Sequence, residues 1–457
     1  FTLSVPAQTS IVVRARAEML RDGAPGWSFR VVDNTADGAL YVLDSPAFDS
    51  GAAGGTRDLV AGSGWTGSAY TSTRAAAPFA ILDDLFDGKA LILTARPAAE
   101  FPPLTVHWSA ENRPATGSIA SGDIGTSFYR RTDAGERQIF LLGDADNDTD
   151  EYDRHVVTHE WGHYVEDVFS RSDSVGGPHG QGDVLDPRVA FGEGFGNAFA
   201  AMVLNDPVFR DTLGQRQSFG FGDSIEDNAS VRPGWFSRDS VEAILYDLFD
   251  ATADGVDTVN LGFAPLFAVL TGAQRDSDYF TTIFTFIAAL KAAQPGQAAQ
   301  IDTLVSGQAI TATMLDAQGS TETNDAGNAD DVLPVYTTVQ VDGDAGRVCS
   351  IAGLAPAFGT VNKLSNRRFV AFEVPLQGSY RIVATAVPDP LLRGANPDFV
   401  LHRRGAVAIA DDELGAVETL ITRALPPGVH LLEVYERSNT TETPRGRTCI
   451  DVTVSGL

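Results

Sequence analysis

Apolar positions recur every second residue at both ends of the chain and every third or fourth residue in its middle. Near the N-terminus, Ser10–Ala17, Trp27–Val32 and Leu40–Leu43 alternate or cluster as strands do, separated by Asp-Asn and Gly turns. Residues 49–74 are rich in Gly, Ser, Thr and Ala, a composition that predicts an irregular stretch. Ala77–Asp87 has the spacing of a first helix, and Leu104–Ser109 that of another short strand. Two strands are expected between Ile124 and Leu142, on either side of Asp133-Ala-Gly-Glu. A helix follows over His155–Asp167, with Val156, Val157, Val165 and Val168 on its buried side; Glu151, Asp153, Glu166 and Asp167 are expected to stay solvated.

Ala190–Met202, Ser240–Asp250 and Tyr279–Ala293 read as further helices. The stripe Phe280, Ile283, Phe284, Phe286, Ile287 and Leu290 predicts the core of a helical lobe reaching about Met314. Residues 316–334 are polar and read as a linker. Beyond them Tyr336–Val341, Arg368–Val374, Ser379–Val387, Val429–Tyr435 and Cys449–Val454 are strand-like, as in a β-sandwich or jelly roll. The expected fold class is α+β and multidomain. It comprises a β-rich region over residues 1–117, a mixed domain with a β lobe and a helical lobe over 118–315, the linker, and a sandwich over 335–457.

Charge narrows the partners. At 457 residues and a formal net charge of −27, the surface repels nucleic acid and anionic membrane. No run of about 18 apolar residues is present to span a bilayer. The chain opens on Phe1 without a signal segment, as a mature or trimmed chain does. Cys349 and Cys449 stand apart from any C-x-x-C pair. A disulfide between them, closing a loop of about 100 residues, would contribute on the order of 4–5 kcal/mol in the chain-entropy model. That pairing implies export, to the periplasm or the exterior of a bacterium.

The chemistry concentrates in His159-Glu-Trp-Gly-His163. On a helix, residues four apart share a face, so His159 and His163 can meet one Zn²⁺, with Glu160 placed as general base. Three fixed letters match by chance in roughly one chain in a hundred of this length, so a third ligand decides the matter. Glu193, in Gly192-Glu-Gly-Phe-Gly-Asn, stands near the start of the next helix and would complete a His₂Glu catalytic site with an open position.

With these motifs, the segment from about Phe128 to Leu248 resembles the gluzincin metallopeptidases of the thermolysin and fungalysin type. Ile139-Phe-Leu-Leu-Gly-Asp-Ala-Asp leads to the His159 helix, and Gly192-Glu-Gly-Phe-Gly-Asn is similar to the fungalysin G-E-G-W-S-D motif. The resemblance implies a zincin-type domain with His159, His163 and Glu193 as zinc ligands, Glu160 as base, and a peptide substrate. It implies that Ile139–Leu142 is the cleft-edge strand that pairs with the substrate. Two positions depart from the pattern. The families carry Asp four residues after the Glu ligand; here Asn197 can still accept from an imidazole N–H but adds no charge. The families also place an oxyanion-steadying His before a later helix, and Arg232–Phe249 contains none. Arg238, Tyr246 and His179 are the candidate substitutes.

Alternating Asp144, Asp146 and Asp148 suit Ca²⁺, without the Gly and closing Glu of an EF-hand. His107, His402 and His430 are isolated and read as structural. The C-terminal domain would bind a surface or ligand of unknown type. The expected function is a secreted zinc metalloendopeptidase. Alternatives are a weakly active adhesin or binding protein on the same scaffold, and a zinc hydrolase of non-peptide amides or esters.

Overall fold

The computed structural model describes the chain apart from residues 1, 227–229, 252–257, 355–356, 390–393 and 412–413. It is a mixed α/β structure that divides into two units, residues 1–164 with 199–223, and residues 165–198 with 224–457. Of the three junctions, two fall inside continuous helices and the third at the end of the strand Phe219–Ser224.

The first unit is built on a mixed sheet. Its strands are β1 (Glu18–Arg21), β2 (Gly26–Asp33), β3 (Glu100–Trp108), β4 (Phe128–Arg131) and β5 (Arg137–Leu141). Their order is β1-β2-β3-β5-β4, with Ala39–Leu40 added beside β2. β3 runs parallel to both β2 and β5, while the outer pairs are antiparallel. One face is apolar because alternate residues share a side: Phe29, Val31, Leu104, Val106 and Ile139 are buried. Strands from both sides of residue 117 share this sheet, so the boundary expected there does not divide two sheets.

The expectation for Ile139–Leu142 is corrected. Over Arg137–Phe140, β5 is flanked by β3 on one side and β4 on the other, leaving no open edge. The outermost strand is β4, Phe128–Arg131.

Helix α1 (Ala77–Ala95) runs two turns past its predicted end and buries Ile81, Leu85 and Ile92. A Cβ on its Gly88 would lie 2.7 Å from the Trp161 ring, so only glycine allows this approach. Trp161 stacks on Phe101, Tyr164 and Phe199 and meets Phe29 edge-on. This cluster fixes the next helix, α2 (Arg154–Phe169), against the apolar face of the sheet.

Three of the four acids expected to remain solvated are buried: Glu151, Asp153 and Glu166. Pairing accounts for the first, since Glu151 accepts from Arg74 and from Trp108 Nε1. Burial still pushes its carboxyl up to about 7 against the charge of Arg74.

The second unit holds most of the remaining helices and the C-terminal sandwich. α3 (Pro187–Leu204) begins on a proline, with Asp186 accepting from the Arg188 N–H. α4 (Arg238–Asp247) is capped by Ser237, α5 is Phe263–Val269, and α6 (Ile283–Ala293) opens with a Thr282/Thr285 capping box. Phe280 lies before α6 rather than on it, packed against Phe369.

The sandwich strands are β6 (Tyr336–Val339), β7 (Gly346–Ser350), β8 (Arg367–Val374), β9 (Tyr380–Ala386), β10 (Pro397–Arg403), β11 (Ala406–Asp411), β12 (Val417–Ile421), β13 (Gly428–Glu436) and β14 (Thr448–Gly456). They form sheets β6-β8-β13-β10-β11 and β7-β14-β9-β12 around one core that includes Phe372, Ile382, Leu432 and Ile450. Cys349 and Cys449 are direct cross-strand partners on β7 and β14 and form the expected disulfide.

Residues 316–334 do not behave as a solvated linker. Glu322 is buried and accepts from Thr311, and Asn324 bonds Pro233 O, Ala309 O and, through its carbonyl, Trp235 Nε1.

Candidate metal centre

Helices α2 and α3 lie side by side. Trp161 of α2 stacks on Phe199 of α3 with ring centroids 5.7 Å apart. A Cβ on Gly192 would sit 3.4 Å from Glu166 Oε2, so the pair is also close about two turns away along α3. On the other side of α3, a Cβ on Gly194 would lie 2.6 Å from the Val241 side chain. Gly194 thus lets α3 approach α4 more closely than a side chain would allow.

Donor atoms of His159, His163 and Glu193 all lie within 4.8 Å of one another. The two imidazole Nε2 atoms are 3.1 Å apart, and their rings are nearly perpendicular at 89°. Two ligands of one tetrahedral zinc, each at the usual Zn–N length, are about 3.3 Å apart. The separation therefore fits a shared ion. Two nitrogens and one carboxylate oxygen are the donor set of a catalytic zinc. Glu160, the neighbour of His159, is buried, as are His159 and Glu193, while His163 is partly exposed.

Of the three candidate donors, two are drawn toward Glu193. His179 Nε2 is 3.1 Å from Glu193 Oε2, and its Nδ1 is 3.2 Å from Gly177 O. With a carboxylate on one nitrogen and a carbonyl on the other, both nitrogens are placed to donate, as imidazolium does. Burial alone would depress this pKa, but the charge of Glu193 outweighs it, and His179 stands above the ordinary imidazole value. Arg238 is buried on α4 beside Asp239 and Glu242 and feels the charge of Glu193 as well. Tyr246 is buried two turns further along α4, with its ring against Phe249.

The loop carrying His179 is tied down from within the same unit. Asp183 accepts from the backbone of Gly180 and Phe358 and pairs with Lys363 at 3.1 Å, and Asp239 accepts from Gly182 N. The sandwich loop around residues 358–366 therefore sets the position of His179.

Asn197 donates through Nδ2 to Glu242 Oε2 at 2.6 Å. Glu242 thus places a buried carboxylate beside Asn197. Sequence reading missed Glu242. Its signal was a set of charges, Arg238, Asp239 and Glu242, on a helix whose residues are otherwise mostly apolar.

The acidic run also resolves differently. Asp144 accepts from Asp146 N in a turn, and Asp146 is exposed. The group that converges is Asp148, Asp150, Asp153 and Asp211, with carboxylate oxygens within 4.8 Å of one another. Only Asp148 belongs to the expected trio. Ser127 donates to Asp150, and Thr212 donates twice to Asp153. Burial first, then the neighbouring carboxylates, pushes Asp148 and Asp211 up to about 7 and raises Asp150, while burial alone raises Asp153 against the hydrogen bonds from Thr212.

Residues 92–301, just under half of the chain, match the family model described as the Mycolysin C-terminal domain, which is peptidase-associated. No curated protein matches the chain. Among solved structures, the chain is similar to the pre-peptidase C-terminal domain of a Bacillus anthracis collagenase: 14% identity, TM-score 0.19, covering 26% of this chain and 93% of that one. It is also similar to the surface-associated copper-binding protein CorA of Methylomicrobium album BG8, at 7% identity and TM-score 0.20, covering 27% and 100%. A third is the periplasmic lysozyme inhibitor PliG of Aeromonas hydrophila, at 14% identity and TM-score 0.17, covering 28% and 99%. The family match spans both HEWGH and Glu193.

Proposed function

We propose that this chain is an exported zinc metallopeptidase that hydrolyses peptide bonds. The observation that carries the reading is the convergence of His159, His163 and Glu193, with Glu160 buried beside them. His159, His163 and Glu193 would hold the zinc ion, which would supply Lewis acidity at neutral pH. Glu160 takes the proton from the attacking water and returns it to the leaving amine nitrogen. His179, which meets Glu193 at 3.1 Å, and Arg238, which feels its charge, are assigned to the developing oxyanion.

An extended peptide would add to β4 as a further strand, which fixes its direction through main-chain hydrogen bonds. Tyr129 of β4 meets Tyr164 of α2 edge-on at 6.4 Å, so the strand runs beside the His159 helix. The disulfide favours an oxidising compartment. The absence of a histidine from residues 232–249 supports a second reading, a binding protein on a peptidase scaffold.

Chelator treatment followed by stoichiometric zinc, assayed on a peptide library, separates the two. The peptidase reading expects cleavage to vanish and return. Zinc uptake without cleavage of any library member favours the binding protein.

A further inference from the structure

The face of the first-unit sheet that points away from α2 carries a built row of side chains. Across β2, β3, β5 and β4, Arg30 pairs with Thr105, Thr105 with Gln138, and Gln138 with Arg130. Arg30 Nε donates to Thr105 Oγ1 at 3.0 Å, and Arg130 Nε to Gln138 Oε1 at 2.8 Å. Each guanidinium is thus oriented by a neutral acceptor, and neither pairs with a carboxylate among the described residues. That is unusual in a chain with 60 acidic residues against 33 basic ones; Arg14, Arg74, Arg154 and Arg188 all hold carboxylates.

One register step along lies an aromatic row. His107 stacks on Phe140 at 4.4 Å and 7°, and Phe140 on Phe128 at 4.9 Å and 15°. Both ring nitrogens of His107 are buried with no hydrogen-bond partner among the described residues. Burial and the charges of Arg130 and Arg30 hold the imidazole down to about 4, so it is neutral near pH 7 and offers one donor and one acceptor.

A cavity of about 550 Å³ opens beside Arg30, Thr105 and His107, with Arg16 and Arg137 also on its wall. Glu18 and Glu136 face it too, but Glu18 is held by Arg16 at 2.9 Å. A fork whose Nε is already fixed presents its remaining N–H groups in the geometry that a carboxylate or phosphate accepts.

We propose that this cavity is a binding site for a small organic anion, a carboxylate or a phosphate monoester, held by Arg30 and His107. The body of the ligand lies against the His107 ring. The site is separate from the metal centre, because α2 packs on the opposite face of the sheet through Phe29 and Trp161.

The test is calorimetric titration of the zinc-loaded full chain with phenyl phosphate, benzoate and inorganic phosphate, with the His107 ring followed by ¹H–¹⁵N correlation. One organic probe per chain is expected, bound more tightly than inorganic phosphate, with the His107 signals shifting to saturation. Whether phenyl phosphate or benzoate binds more tightly assigns the anion. Arg30→Gln, a change at an exposed position, is expected to weaken binding by about tenfold or more through loss of charged hydrogen bonds. Arg14→Gln, which removes a surface pair, should leave it unchanged. Failure of every probe to saturate at millimolar concentration overturns the proposal. So does equal affinity in a folded Arg30→Gln chain, or shifts confined to His159 and His163.

Discussion

Asn197 is best understood with Glu242. A carboxylate at 197 would face the buried Glu242 carboxylate, whereas the amide donates to it at 2.6 Å. Asn197→Asp, the residue found in the resembled families, is therefore expected to destabilise the chain by about 1–3 kcal/mol by replacing a charged hydrogen bond with a repulsion. Adding Glu242→Gln restores a donor and should recover most of that loss in a double-mutant cycle read by chemical denaturation. Additive losses would show that the two side chains do not act as a unit. At this scale the sequence was legible where spacing alone defines the chemistry, as in His159, Glu160 and His163. It marked Glu242 only as one of three charges on a mostly apolar helix and did not point to Asn197, because a partner 45 residues away leaves no local period.

Among the elements, the acidic cluster has the clearest consequence. Asp148 and Asp211 stand at about 7 in the folded chain against an ordinary value of about 3.9. A raised folded pKa contributes stability below the unfolded value and loses it as pH rises through the folded one. In chelator, the thermal midpoint should therefore fall as pH rises from about 4 through about 7, and Asp211→Asn should flatten that fall. Ca²⁺ bound by these carboxylates would offset their repulsion, so added Ca²⁺ should raise the midpoint more above pH 7 than below pH 5. A midpoint indifferent to Ca²⁺ at both pH values would leave the cluster to protons alone.

Element types were readable from periodicity: the α2 helix, the α6 stripe and five of the sandwich strands lie close to where the pattern puts them. Strand order was not. The outermost position of β4 depends on pairing partners, which alternation within one strand does not encode. The packing of residues 316–334 was hidden for a related reason, since Glu322 and Asn324 are polar residues buried by hydrogen bonds rather than by apolar character.

In the whole molecule, the second unit is locked by Arg188. This buried guanidinium bonds Asp186 and Glu433 and lies over the rings of Phe280 and Phe369, joining α3 to the sandwich. Burial would raise the Glu433 carboxyl, but Arg188, His402 and Arg367 hold it well below the ordinary range. A depressed folded pKa contributes stability above the unfolded value and loses it as pH falls through the folded one, opposite in sign to the acidic cluster. Arg188→Met should cost about 3–5 kcal/mol by leaving Asp186 buried without its guanidinium and Glu433 with Arg367 and His402 alone, and acid resistance should fall with it. Replacing both Cys349 and Cys449 by Ser should cost about 4–5 kcal/mol if the chain-entropy account of a 100-residue separation holds, measured by denaturant titration.

The proposed function rests on one metal held by three residues and one base beside it. Metal content and peptide cleavage, measured together on the wild-type chain and on Glu160→Gln, test both at once. The expected result is one zinc per chain in each protein, with cleavage confined to the wild type. A chain without zinc in either form would contradict the His159–His163–Glu193 centre, and a Glu160→Gln chain that cleaves as well as the wild type would contradict the role of Glu160.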